Sequence, residues 1–215
     1  ALATEPWPMY DNDVVGTCTV AAAAHLVQSW TAARGDEQAV PPGVVLTAYG
    51  ALSGYDGRPS TDRGAAALDA LKWWRHHGLG GHGILAFAAV DPRKVEHLRA
   101  AVAIFGGCYL GLALPVDAGA RPWDFAPSPG DIASAPGSWG RHAVAVLGYA
   151  ERGVLCIAWG EIRWMSWPFY LAYAGEAWAI IGLDFLAGGR APNGLDLDTL
   201  RADLARIADS PPQET

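Results

Sequence analysis

Two side chains stand where they could carry nucleophilic chemistry. Cys18 lies in NDVVGTCTVAAAAHLVQSW, where Gly16 turns the chain into a long helical pattern, so the thiol falls in the first helical turn. The thiolate is the reactive form of cysteine. The unpaired N–H groups and positive dipole end of a helix favour it, more so beside a cationic imidazole. The competing reading of Cys18 is a small core residue on the inner face of that helix. His142 opens the apolar run HAVAVLGYA directly after a Gly-rich loop. A histidine entering a buried strand from a loop either reaches across a cleft as a general base or is an ordinary strand-edge residue. Cys108, in IFGGCYLGLALP, and Cys156, in GVLCIAWG, read as small buried strand residues. Three cysteines cannot all pair, and no C-x-x-C is present.

The elements that must position these groups change character along the chain. Helical periodicity covers 17–33, a segment around 44–53, 64–78 and 92–105. From about 106 on, short apolar runs bounded by glycine read as strands: CYLGLAL, HAVAVLGYA, VLCIAWG and EAWAIIGLDFL. A helical half followed by a strand half predicts an α+β protein, since an α/β fold would alternate the two. The expected organisation is one domain over 1–215, with a helical subdomain at about 9–105 and a β subdomain at about 106–190. A long Gly/Pro/Ser/Asp-rich loop is expected at about 117–140, an amphipathic helix at 196–208 and a disordered tail at 209–215.

Composition narrows the function classes. The 215 residues are 51% hydrophobic and 17% charged, enough for a real core. A net charge of −7 with singly scattered basic residues predicts no nucleic-acid partner. No apolar run approaches the roughly 18 residues of a membrane span, so no membrane partner is expected. No secretory signal pattern opens the sequence, which makes the cytoplasm the expected location. Arginine outnumbers lysine and alanine is abundant, which fits a GC-rich bacterial or phage genome.

Cys18 at a helix start, the distant HAV strand and a following strand that ends in AWG together resemble the papain-like cysteine peptidases, over roughly residues 9–185. The resemblance implies an α+β fold with a helical N-terminal half and an antiparallel, β-barrel-like C-terminal half enclosing a cleft. It implies Cys18 as nucleophile and His142 as the base that forms an ion pair with it. Asn12, six residues before Cys18, falls where the family has the glutamine whose amide joins the cysteine N–H in the oxyanion hole. Trp159 and Gly160 match the W-G after the family's orienting asparagine, and Trp159 would shield the imidazole's hydrogen bond. By that match the asparagine position holds Ile157, which cannot hydrogen-bond an imidazole.

Other residues carry weaker readings. Glu161 is either a substitute for the missing asparagine or a solvated turn residue. Gly64 matches the glycine backbone that pairs with an extended substrate, or else caps a helix. Trp139 and Trp123 are candidates to bind an apolar or aromatic acyl group. His25, about two helical turns from Cys18, is too far to serve it and reads as a core histidine. His76, His77 and His82 lack an acid or cysteine at ligand spacing, so no metal and no cofactor is expected. The function expected is a cysteine-dependent hydrolase cleaving an amide, peptide-type bond through a Cys18 acyl-thioester, with a peptide or small acyl substrate. The alternatives are an acyltransferase or cyclase using the same intermediate, and a catalytically degenerate binding protein of the same fold.

Overall fold

Alanine dominates the first long helix because that helix must lie flat against a sheet. In the computed structural model, which describes residues 6–199 and 202, α1 (Cys18–Ala33) buries every residue from Thr19 to Thr31. Its Ala21, Ala22, Ala23 and Ala24 share a core with Ala143 and Ala145 of β3 (Gly140–Ala150) and Tyr109 of β2 (Cys108–Leu114). Small side chains on both surfaces bring the two backbones close. The Tyr109 hydroxyl donates to the Thr19 carbonyl at 3.0 Å, which pins the start of α1 to the sheet.

The remaining helices are α2 (Pro42–Ser53), α3 (Ala67–His77), α4 (Val95–Phe105) and α5 (Trp167–Tyr173). The remaining strands are β1 (Ile84–Val90), β4 (Gly153–Ala158), β5 (Glu161–Ser166) and β6 (Ala174–Gly182). The strand order is β1-β6-β2-β3-β4-β5, and every neighbouring pair is antiparallel. One core lies between the sheet and α1, α2 and α3. A second, built from Leu98, Val102, Val144, Val146, Cys156, Phe169 and Tyr173, lies between the sheet and α4 and α5. Alternation along β3 serves both, with Ala143 and Ala145 facing one core and Val144 and Val146 the other.

The α+β expectation stands, with two corrections. The sheet is open and forms no barrel: β1 and β5 are its two edges. The long loop closes off β5, with the Ser166 N–H donating to the Trp123 carbonyl at 2.8 Å. In addition, β1 lies within the half expected to be helical and pairs with β6 from the far end of the chain. Its sequence ILAFAAV shows no clean alternation, which left it illegible as a strand. The loop at 117–140 contains only short 3₁₀ turns, at Val116–Gly119 and Ile132–Ser134. Most of the helix expected at 196–208, and all of the tail at 209–215, lie outside the described residues. No helix among the described residues is long and apolar enough to cross a membrane.

Where α1 meets the end of β6, Gly182 lies directly against the Trp30 indole, which is fully buried, stacks on Trp74 and donates to the Phe105 carbonyl at 3.0 Å. A Cβ at Gly182 would run into that ring. Gly182→Ala should therefore destabilise the fold by about 1–3 kcal/mol through overpacking, read as a lowered Tm in thermal unfolding.

Candidate active site

Cys18 begins α1, and no side chain caps the helix there: the Thr17 hydroxyl donates instead to the Tyr10 carbonyl at 2.8 Å. The first-turn N–H groups are thus left for the sulfur. Those of Cys18 and Thr19, together with the Ala143 N–H of β3, favour the sulfur's anion. Desolvation outweighs them, and the thiol lies above its ordinary value, with the nearby Asp62 carboxylate adding to the rise.

A cleft of about 860 Å³ opens over this helix start. Gly16, Cys18 and Thr19 form one wall, Gly64 to Leu68 another, and Gly111, His142, Ala143 and Glu176 the side made by the sheet. The structure therefore brings Cys18, His142 and Gly64 together. His142 is 3% exposed, and its Nε2 is sealed in the interior with no hydrogen-bond partner. Burial pushes its pKa down to about 3, helped by the charge of Arg163. A raised thiol facing a lowered imidazole favours the neutral pair over the expected ion pair.

The β4–β5 hairpin sets the surroundings of His142. Ala158 pairs with Glu161, leaving Trp159 and Gly160 as a two-residue turn with φ of 52° and 69°, a type I′ geometry. Gly160 has no room for a side chain, because the Trp7 carbonyl and the Met9 backbone cross directly over it. Trp159 takes the left-handed conformation that a bulky residue rarely adopts, and its indole stacks on His142 with centroids 4.4 Å apart and planes at 22°. Trp139, 54% exposed, stands edge-on to both rings, at 6.1 Å from His142 and 5.8 Å from Trp159.

Register corrects the position read as the missing asparagine. Ile157 pairs with Ala145, so it points to the α1 side of the sheet, whereas His142 shares its face with Val144 and Val146. The β4 residue on the imidazole's face nearest the turn is Ala158, 2% exposed and equally unable to hydrogen-bond. Other expected residues stand apart. Asn12 sits in the turn before Gly16 and is not among the described residues lining the cleft. Glu161 is directed to Arg163, 3.4 Å away, with its side chain 69% exposed. Trp123 is 1% exposed and stacks on Phe169, a core residue with no access to an acyl group. His25 is 2% exposed, with Nε2 2.9 Å from the Pro8 carbonyl, as a core histidine should be. His82 pairs with Asp184 at 2.9 Å.

Sequence reading missed the strap beneath the cleft. Asp62 accepts the Gly16 N–H at 3.2 and 3.0 Å and the Tyr49 hydroxyl, which in turn accepts the Gly64 N–H at 2.9 Å. This ties the loop before the nucleophile to the opposite wall and occupies the Gly64 N–H. Glu176 was also missed: its carboxylate accepts the Trp178 indole N–H at 3.0 Å and lies over Gly111, where a Cβ would collide with it. Neither residue belongs to a local motif.

The fold has solved counterparts. The cysteine protease xylellain from Xylella fastidiosa superposes with a TM-score of 0.60 at 17% identity, over 77% of this chain and 79% of that one. The Carica candamarcensis cysteine protease CMS1MS2, solved in complex with E-64, gives 0.55 at 13% identity, over 83% and 92%. The clostridial cysteine protease Cwp84 gives 0.51 at 10% identity, over 78% of this chain and 52% of that one. No protein-family model matches the sequence, and neither does any curated protein.

The buried histidines make stability acid-sensitive. His25 and His142 have folded values pushed down to about 4 and about 3, against roughly 6.5 for a free imidazole. Between about pH 6.5 and 4 the unfolded chain binds two protons that the folded chain refuses, so stability falls as pH falls. Each histidine contributes about 1.4 kcal/mol per pH unit in that window. Replacing His25→Gln should halve this contribution, measured by urea unfolding across the range. What the architecture and the cleft together establish is a papain-like fold that holds Cys18, at a helix start, and His142 in one cleft.

Proposed function

We propose that this chain is a cysteine-dependent hydrolase that cleaves an amide bond through a Cys18 acyl-thioester. The observation that carries this reading is the shared cleft: a thiol ringed by backbone N–H groups at a helix start, with an imidazole on the facing strand. With Nε2 sealed inside, Nδ1 is the nitrogen left to the cleft. It takes the thiol proton as sulfur attacks the carbonyl carbon, and the Cys18 N–H receives the developing oxyanion. The proton then passes from Nδ1 to the leaving amine, whose C–N bond breaks. Water, deprotonated by the same nitrogen, releases the acid and restores the thiol. Starting from a neutral pair, proton transfer accompanies attack and does not precede substrate binding.

Substrate is read as a peptide or small acyl group lying between the Gly64 wall and the sheet. Because the Gly64 N–H is engaged by Tyr49, main-chain pairing there would use the Gly64 carbonyl. Trp139 offers an exposed aromatic surface beside the base for an apolar group. The oxyanion role read for Asn12 finds no support in its position outside the cleft walls.

Iodoacetamide at neutral pH should alkylate Cys18 at least tenfold faster than the fully buried Cys108 and Cys156, and His142→Ala should slow the Cys18 reaction itself. Equal, slow labelling of all three would favour the degenerate binding protein. If labelling is selective, mass spectrometry of Cys18 after exposure to peptides or acyl thioesters, with amine acceptors added, separates hydrolysis from acyl transfer.

A second comparison follows from the register. Ala158→Asn places a carboxamide on the imidazole's face and should raise the Cys18 alkylation rate. Ile157→Asn buries an amide on the opposite face and should cost about 1–3 kcal/mol of stability with no gain in rate. A gain from Ile157→Asn alone would overturn the register argument.

A further inference from the structure

We propose that Arg163, acting through Trp159, is the positioning residue that orients the His142 imidazole, in place of a hydrogen bond to Nε2. The imidazole lacks any polar partner at that nitrogen, yet it is 3% exposed and must be held by something. The near-parallel indole of Trp159, at 4.4 Å and 22°, is the contact that defines its plane. An indole at the tip of a turn needs its own support. The Arg163 guanidinium, 5.1 Å from the ring centroid, supplies that support as a cation–π contact.

The support is built from the hairpin itself. Arg163 pairs with Cys156 and so projects from β5 onto the face that carries His142. Its guanidinium also lies 5.5 Å from the centroid of the buried Trp123, and Glu161 holds its far end at 3.4 Å. The Arg163 Nε is buried with no hydrogen-bond partner. A cation so poorly solvated gains more from two indole faces than an exposed one would. Trp123 and Trp139 meet Trp159 edge-on at 6.1 and 5.8 Å, closing the ring of contacts. The charged and titratable groups around the imidazole are Arg163 on β5, with Glu161 bound to it, Cys18 and His25 on α1, and Arg141 and Glu176 along the cleft. Arg163 is the one tied to the imidazole through a shared ring.

The inference rests on reading His142 as the base only for its kinetic consequence. NMR relaxation of the His142 Cε1–H reports ring order directly, and His25, buried and bonded to Pro8, is an internal control. Arg163→Met keeps the stem and deletes the cation. In that variant the His142 order parameter should fall below about 0.6. Its titration midpoint should rise, while His25 stays ordered. Arg163→Lys, which keeps the charge but loses the planar group, should fall between wild type and Arg163→Met. A His142 ring as ordered in Arg163→Met as in wild type overturns the proposal, as does His25 loosening together with it. If Arg163→Met does not fold, Trp159→Phe, a weaker cation–π partner, should show an intermediate loss of order, and no loss overturns the proposal. The Cys18 alkylation rate on the same samples should fall about tenfold. A mobile ring with an unchanged rate would leave the clamp standing and remove His142 as the base.

Discussion

The close approach of α1 to β3 is the contact on which the rest of the molecule depends. Ala21 to Ala24 on the helix and Ala143 and Ala145 on the strand put small side chains into the core that the two elements share. That close approach brings the Ala143 N–H beside the Cys18 sulfur and puts the preceding residue, His142, in the same cleft. A larger side chain at any of these positions would move the helix start away from the strand. The Tyr109 bond to Thr19 fixes the helix along its axis, and the Asp62–Tyr49 strap fixes the loop that leads into it. Cys18 is thus held from three directions: by the helix–strand contact, the Tyr109 bond and the Asp62–Tyr49 strap.

Electrostatics in the cleft follow from how deeply these contacts bury it. Both members of the pair are desolvated, which raises the thiol and lowers the imidazole. The helix-start N–H groups offset only part of that cost. Arg163, which also lies against the Trp159 ring, adds to the effect of burial in disfavouring charge on His142. A neutral base can accept a proton the moment the thiol attacks. No hydrogen-bonded carboxamide of the described residues stands at the imidazole; aromatic contacts among Trp123, Trp139 and Trp159 surround it instead.

That stack accounts for part of the tryptophan content of the sequence. Trp159 and Trp139 attend the imidazole, Trp123 backs them from the core, and Trp30 and Trp74 lock α1 to α3 on the far side. Trp123 shows how a loop position misleads: the segment around it is exposed and irregular, yet its ring stacks within 4° of parallel on Phe169. Sequence context describes a backbone's neighbourhood, while burial of a large ring is decided by what folds over it.

Local pattern was enough for the helix over 17–33, the strands at 108–114 and 142–150, the α+β class, and the burial of Cys108 and Cys156, because periodicity is written in adjacent residues. Several features were invisible there. The open sheet, the crossing of β1 to β6 and the Asp62 strap each join residues far apart in the chain. The face of Ile157 depended on register, since a shift of one residue turns a strand side chain to the other side, and the W-G match alone could not see which side that was. Alternation and helical periodicity belong to the sequence because they act over a few residues. The orientation of His142 belongs to the tertiary structure, because stacking and cation–π contact arise only where β3, the β4–β5 hairpin and the long loop converge.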